Sequence, residues 1–74
     1  MRAYVLITID AGQGTAVQEA LRAAGIGQVD QVAGSYDLVA VIEGNDPRAV
    51  GELVIGTVQK TPGVASTVTL LSFG

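Results

Sequence analysis

The sequence predicts one α+β domain in which strands and helices follow in the order β-α-β-β-α-β. Four short runs rich in β-branched and aromatic residues are bounded by glycine, proline or acidic residues. Two segments between them carry apolar residues at helical spacing instead. The length of 74 residues is enough for one domain and no more.

The first strand is residues 3 to 9, Ala-Tyr-Val-Leu-Ile-Thr-Ile, ended by Asp10. Gly12-Gln13-Gly14 forms a loop, and from about Thr15 to Ala24 the apolar positions Val17, Ala20, Leu21 and Ala24 fall on one helical face. Gly25 and Gly27 stop this helix, since glycine readily takes the left-handed conformation of a helix end. Residues 28 to 33 and 36 to 43 read as two strands joined at Gly34-Ser35, where glycine in the first central position suits a two-residue type II′ turn. In Gly44-Asn45-Asp46-Pro47, either Asn45 or Asp46 serves as N-cap, with proline at the first helical position. Val50, Leu53, Val54 and Val58 are expected to line the buried face of the second helix, which Gly51 and Gly56 weaken. Pro62-Gly63 ends it, and residues 64 to 72 make the last strand.

A faint repeat supports this order: Ala16-Val17-x-Glu19 recurs as Ala49-Val50-x-Glu52, each early in a helix. The arrangement is the split-βαβ, ferredoxin-like fold, a four-stranded antiparallel sheet with two helices on one face. Such a sheet, wet on its other face, should alternate apolar and polar residues. Here Ala3, Val5, Ile7 and Ile9 oppose Tyr4 and Leu6, and Leu38, Ala40 and Ile42 oppose Val39 and Val41. In the last strand Val64, Val68 and Leu70 oppose Ala65, Leu71 and Phe73. Two helices cover only one face, so the other is expected to present an apolar patch larger than monomers usually expose. High β-propensity alone could also fill these positions with valine, but three strands agree on the pattern.

Composition points the same way. Charged residues are 15% of the chain against roughly a quarter in typical domains, while hydrophobic residues reach 49%. A chain this short has a thin core and is usually reinforced by disulfides, a metal or a partner. Without cysteine there is no disulfide, and without histidine too there is no ordinary zinc or iron–sulfur ligand set; no cofactor is expected. A partner subunit remains, and self-association is expected to be part of the folded state. The net charge of −3 and the scattered bases Arg2, Arg22, Arg48 and Lys60 speak against direct nucleic-acid binding. The start of the chain is too short in apolar residues for a signal peptide, and no run approaches the roughly 20 residues of a membrane helix. A cytoplasmic location is expected.

Catalysis has little to work with. There is no histidine or cysteine and one lysine, nothing basic lies near the hydroxyls of Ser35, Ser66 or Ser72 in sequence, Asp10, Asp37 and Glu43 offer at most a lone acid, and no enzyme activity is expected. Gly12-Gln13-Gly14-Thr15-Ala16-Val17 follows a strand and opens a helix, but Val17 stands where a dinucleotide fingerprint needs a third glycine. It reads as a strand-to-helix turn. Gly34-Ser35-Tyr36-Asp37 allows two readings. In one, Gly34 makes a turn, Tyr36 packs and Asp37 caps a neighbouring amide. In the other, the amides of Gly34 and Ser35 receive a carboxylate while Asp37 meets an ammonium.

Four segments in order, Ala3-Tyr4-Val5-Leu6-Ile7, Gly34-Ser35-Tyr36-Asp37-Leu38-Val39-Ala40, Pro62-Gly63-Val64 and Thr67-Val68-Thr69-Leu70-Leu71, resemble the effector (RAM) domain of the Lrp/AsnC transcription regulators. The resemblance spans residues 1 to 74 as a single effector-binding and oligomerisation domain. It implies a ferredoxin-like fold that dimerises through its sheets, with four dimers able to close a ring, and a small effector such as an amino acid bound between dimers. The family's glycine-x-aromatic-aspartate loop falls on Gly34, Tyr36 and Asp37, with Ser35 between them. Thr67 and Thr69 are a weaker part of the implied pocket. Full-length members carry a helix-turn-helix domain ahead of this one; here a stand-alone module without a DNA-binding domain is expected. Two other functions fit the same fold: a co-assembly partner of full-length regulators with no ligand of its own, and a small dimeric α+β-barrel enzyme.

Overall fold

Along β1 (Arg2–Ile9) the side chains alternate in environment: Ala3, Val5 and Ile7 are fully buried, while Tyr4, Leu6 and Thr8 between them are half-buried. That period of two is the strand's own geometry. It fixes which side of the sheet meets the helices. The computed structural model describes all 74 residues. After β1 come α1 (Gly14–Ala23), β2 (Gln28–Gln31), β3 (Leu38–Glu43), α2 (Pro47–Leu53) with a π-helical continuation (Val54–Val58), and β4 (Val64–Leu71). The strands form one antiparallel sheet in the order β2-β3-β1-β4, the ferredoxin-like topology expected from the sequence.

The core lies between the sheet and the helices. Leu38, Ala40 and Ile42 of β3 join Ala3, Val5 and Ile7 beneath Val17 and Leu21 of α1 and Val50, Val54 and Val58 of the second helical segment. The repeated Ala-Val-x-Glu thus has a structural meaning, since both of its valines, Val17 and Val50, are core residues. Helix α1 ends in a Schellman motif: Gly25 N–H donates to Arg22 O and Ile26 N–H to Leu21 O, with Gly25 at φ +97°. Ile26 and Leu21, at the two ends of the longer bond, are both buried. Of the two N-cap candidates for α2, Asp46 serves, its carboxylate accepting from Ala49 N–H at 2.8 Å.

Three expectations are corrected. First, β2 and β3 stop at Gln31 and Leu38, and residues 32–37 form an open loop, not a two-residue type II′ turn. The register is the one such a turn would give, and Val32 N–H still donates to Asp37 O at 2.9 Å. But Asp37 N–H turns away to Ile7 O on β1, also at 2.9 Å, and Gly34 sits at φ +135°. A type II′ turn would want about +60° there. Second, Leu53 is not a core residue but 38% exposed. After Leu53 the helix widens to i+5 bonding, with Gln59 N–H donating to Val54 O at 2.8 Å, in a segment that contains the helix-weakening Gly56 and follows Gly51. The wider turn keeps Val50, Val54 and Val58 in line toward the core and leaves Leu53 on the flank. Third, Val64 does not share a face with Val68 and Leu70. Ser66 pairs with Thr8 but Val64 pairs with Ile9, so a bulge at Ala65 turns Val64 to the core side.

The far face of the sheet is apolar, as the doubled pattern implies. Cross-strand pairing builds two rows over the central strands, Val39–Leu6–Val68 and Val41–Tyr4–Leu70. Val68 and Leu70 are 41% and 49% exposed. Polar pairs close the rows at both ends: Arg2 Nε donates to Glu43 Oε1 at 2.8 Å, and the Thr8 and Ser66 hydroxyls bond to each other.

The turn before β4 tests how tightly the layers meet. Gly63 has φ +96°, and a Cβ there would stand 2.9 Å from Val17 Cγ2 and 3.0 Å from Gln13 Cβ. Gly63→Ala is expected to destabilise the fold by about 2 kcal/mol, from left-handed strain and overpacking together, in chemical denaturation. A cost under about 0.5 kcal/mol would contradict this packing.

Candidate functional site

Asp37 is the residue on which the loop 32–37 turns. It is exposed, yet its backbone and side chain tie two strands together: its carbonyl accepts from Val32 N–H, its N–H donates to Ile7 O, and its Oδ2 accepts from Ile9 N–H at 2.9 Å. The carboxylate thereby takes the place of a backbone acceptor beyond the end of β3. The amide-capping reading of Asp37 is therefore realised in the structure. Oδ1 has no hydrogen-bond donor within the chain, so one oxygen of the carboxylate faces outward unused.

Gly34 and Ser35 are exposed and Tyr36 is half-buried. The N–H groups of Gly34 and Ser35 donate to no acceptor in the chain. Two free amides and a half-used carboxylate thus sit within four residues. That is donor and acceptor chemistry suited to a zwitterion, with amides for an anionic group and a carboxylate for a cationic one.

Thr67 and Thr69 stand opposite Ile7 and Val5 across the β1–β4 ladder, on the helix-facing side. The Thr67 hydroxyl accepts from Gln59 Nε2 at 3.0 Å. Pairing brings Gly34, Ser35, Tyr36 and Asp37 to the Ile7–Ile9 end of the sheet, where Thr67 also lies. Thr69 is two positions further along β4 and lines a separate groove of about 350 Å³ with residues of α2. The six residues do not enclose a common cavity. A larger depression of about 470 Å³, around Arg2, Glu43 and the glycines after α1, contains none of them. There Arg2, held by its hydrogen bond to Glu43 and next by Tyr4, keeps its proton more firmly than usual. No three residues of the types that ligate metals gather anywhere in the chain.

Two residues of this region gave no signal in the sequence. Ile9 contributes only its backbone N–H, which no side-chain pattern announces. Gln59 reaches Thr67 because the helix widens before it. Regular α-helical spacing would place it elsewhere.

Comparison with known proteins gives a consistent result. The model of the family described as Lrp/AsnC ligand binding domain matches residues 2–74. An uncharacterized HTH-type transcriptional regulator of Pyrococcus horikoshii is 32% identical over 75 residues, covering 96% of this chain and 50% of the regulator. The chain thus spans about half the length of the curated relatives it matches. The crystal structure of the Thermus thermophilus protein TTHA0845 superposes with a TM-score of 0.90 at 32% identity, covering 99% of this chain and 92% of that one. Escherichia coli AsnC shares the fold, with a TM-score of 0.90 at 16% identity over 99% of this chain and 50% of its own.

If the Asp37 carboxylate anchors Ile9, a neutral isostere should do so nearly as well. Asp37→Ala is expected to cost about 1 kcal/mol in denaturant unfolding, and Asp37→Asn less than half of that, because its amide oxygen still accepts. Equal losses for the two variants would show that the anchoring bond is not what the side chain supplies to stability.

Proposed function

The chain belongs to the Lrp/AsnC ligand-binding domain family, and from that premise we propose that it works as an oligomeric module that binds an α-amino acid effector. The observation that carries this reading is the loop at Gly34 to Asp37. Its free amides at Gly34 and Ser35 would receive the effector's carboxylate, and the outward oxygen of Asp37 its ammonium. Tyr36 flanks them, and the Thr67 and Thr69 hydroxyls add polar contacts. Because these residues form no enclosed cavity in one chain, the pocket is completed by a second copy.

Association is proposed to use the far face of the sheet. Its two apolar rows, closed at the ends by an ion pair and a hydroxyl pair, have the dry centre and polar rim of a protein interface. A standard interface hides about 800 Å² on each partner, and a second sheet laid over this one supplies it. Larger assemblies, such as a tetramer of dimers, and mixed assemblies with full-length regulators are extensions of the same proposal. The module is proposed to act in the cytoplasm and not as an enzyme. No helix of the chain is long and apolar enough to cross a membrane.

One observation favours a second reading, in which the chain is a co-assembly partner with no ligand of its own: the Asp37 carboxylate already has a structural task, its Oδ2 accepting from Ile9 N–H. Thermal unfolding separates the two. An effector at 100 times its dissociation constant adds about 2.7 kcal/mol, which moves the midpoint of a domain this size by roughly 10–20 °C. One or a few of the standard amino acids should produce such a shift, and Asp37→Asn should remove it while leaving the ligand-free midpoint nearly unchanged. No shift with any amino acid would defeat the effector reading in favour of the co-assembly one.

A further inference from the structure

The two edges of the sheet are built differently. At one edge β2 has only four residues, one of them the charged Asp30. The Val29 carbonyl there is already taken, accepting from Gln18 Nε2 at 2.8 Å and Arg22 Nη2 at 3.0 Å, so side chains of α1 seal the strand. At the other edge β4 runs for eight residues, Val64–Leu71, with no charged residue and no proline. Its one irregularity is the bulge at Ala65, near its start. Ser72 N–H donates to Arg2 O at 2.9 Å, which sets the alternation of the β1–β4 ladder. Ser66, Val68 and Leu70 turn their backbone groups toward β1, and Thr67, Thr69 and Leu71 turn theirs outward. Val68 to Leu71 are all exposed. Proteins normally blunt an edge of this kind with charge, proline, shortness or a covering segment. Here only β2 is blunted.

We infer that the outer edge of β4 is a strand-pairing site for the β4 of a second copy, running antiparallel and joining two sheets into one. This interface is separate from the far face of the sheet. The strand is self-complementary: it carries no charge, so two copies brought together about a two-fold axis meet no like charges. On the helix side Thr67 and Thr69 come opposite threonine or leucine, and the Thr69 hydroxyl has no partner within its own chain. On the far side Val68 and Leu70 carry the two apolar rows across the junction.

Amide hydrogen exchange, followed residue by residue beside the molar mass, tests this. In the associated protein the amides of Thr67, Thr69 and Leu71 should exchange roughly tenfold or more slowly than in the dissociated chain, and dilution should release them while Val68 and Leu70 stay protected by β1. Leu6→Asp, on the far face, should leave them protected. Thr69→Pro removes an outward N–H and no bond to β1, a change that an edge strand tolerates. It should halve the assembly mass and release Thr67 and Leu71. Where proline prevents folding, Thr69→Lys brings two like charges to the shared edge and should do the same. A mass above one chain with Thr67, Thr69 and Leu71 unprotected would overturn the inference and leave the sheet-to-sheet association standing. Protection that persists in Thr69→Lys at unchanged mass would overturn it as well. A single-chain mass at every concentration would remove both interfaces together.

Discussion

Tyr4 and Leu6 alternate along β1 with Val5 and Ile7, so the middle of this inner strand is apolar or aromatic on both faces. The neighbouring strands repeat the pattern, with Val39 and Val41 beside Leu6 and Tyr4 on one flank and Val68 and Leu70 on the other. Thirteen buried residues form the core on the helix side. The opposite face keeps a smaller strip, the two rows Val39–Leu6–Val68 and Val41–Tyr4–Leu70, partly in contact with water. Hydrophobic burial is the main force opposing chain entropy, and a 74-residue chain has little of it to spare. The strip is the part of the structure that a partner would convert from exposed surface into core.

That constraint also explains why polar groups gather where they do. Along the strands nearly every position is occupied by packing, so hydrogen-bonding chemistry is displaced to the sheet ends and to its edge. At one end Arg2 and Glu43 pair, and at the other Asp37 anchors Ile9 while its loop leaves two amides open. At the β4 edge Thr67 and Thr69 face the helices, where one would expect valine in a fully covered sheet. With no histidine or cysteine and only four bases, the chain relies largely on backbone amides, hydroxyls, side-chain amides and carboxylates for hydrogen bonding.

Most of the architecture was legible in the residues. Period-two runs marked the strands, Val17 and Leu21 marked the buried face of α1, and Asp46-Pro47 marked the start of α2. What was not legible came from contacts between segments far apart in sequence. The tight turn at Gly34-Ser35 is locally reasonable, but Asp37 gives its N–H to Ile7, thirty positions earlier in the chain, and the turn opens. Leu53 fits a helical stripe, yet it lies exposed on the flank while Val50, Val54 and Val58 of the same stripe line the core. Val64 sits on the core side because the register slips at Thr8 and Ile9, which no property of β4 alone reveals. For the candidate site, the glycine and aspartate of the loop were visible as chemistry. The anchoring of Ile9 and the reach of Gln59 to Thr67 were not, because one is a backbone donor and the other depends on helix geometry.

Sedimentation equilibrium of the purified protein across low micromolar concentrations weighs most directly on this account. The molar mass should be at least twice the 7.5 kDa of the chain, and Leu6→Asp, at the centre of the far face, should lower it. A folded, stable species of single-chain mass throughout that range would mean that water tolerates the strip, and neither the sheet-to-sheet association nor a pocket shared between copies would stand.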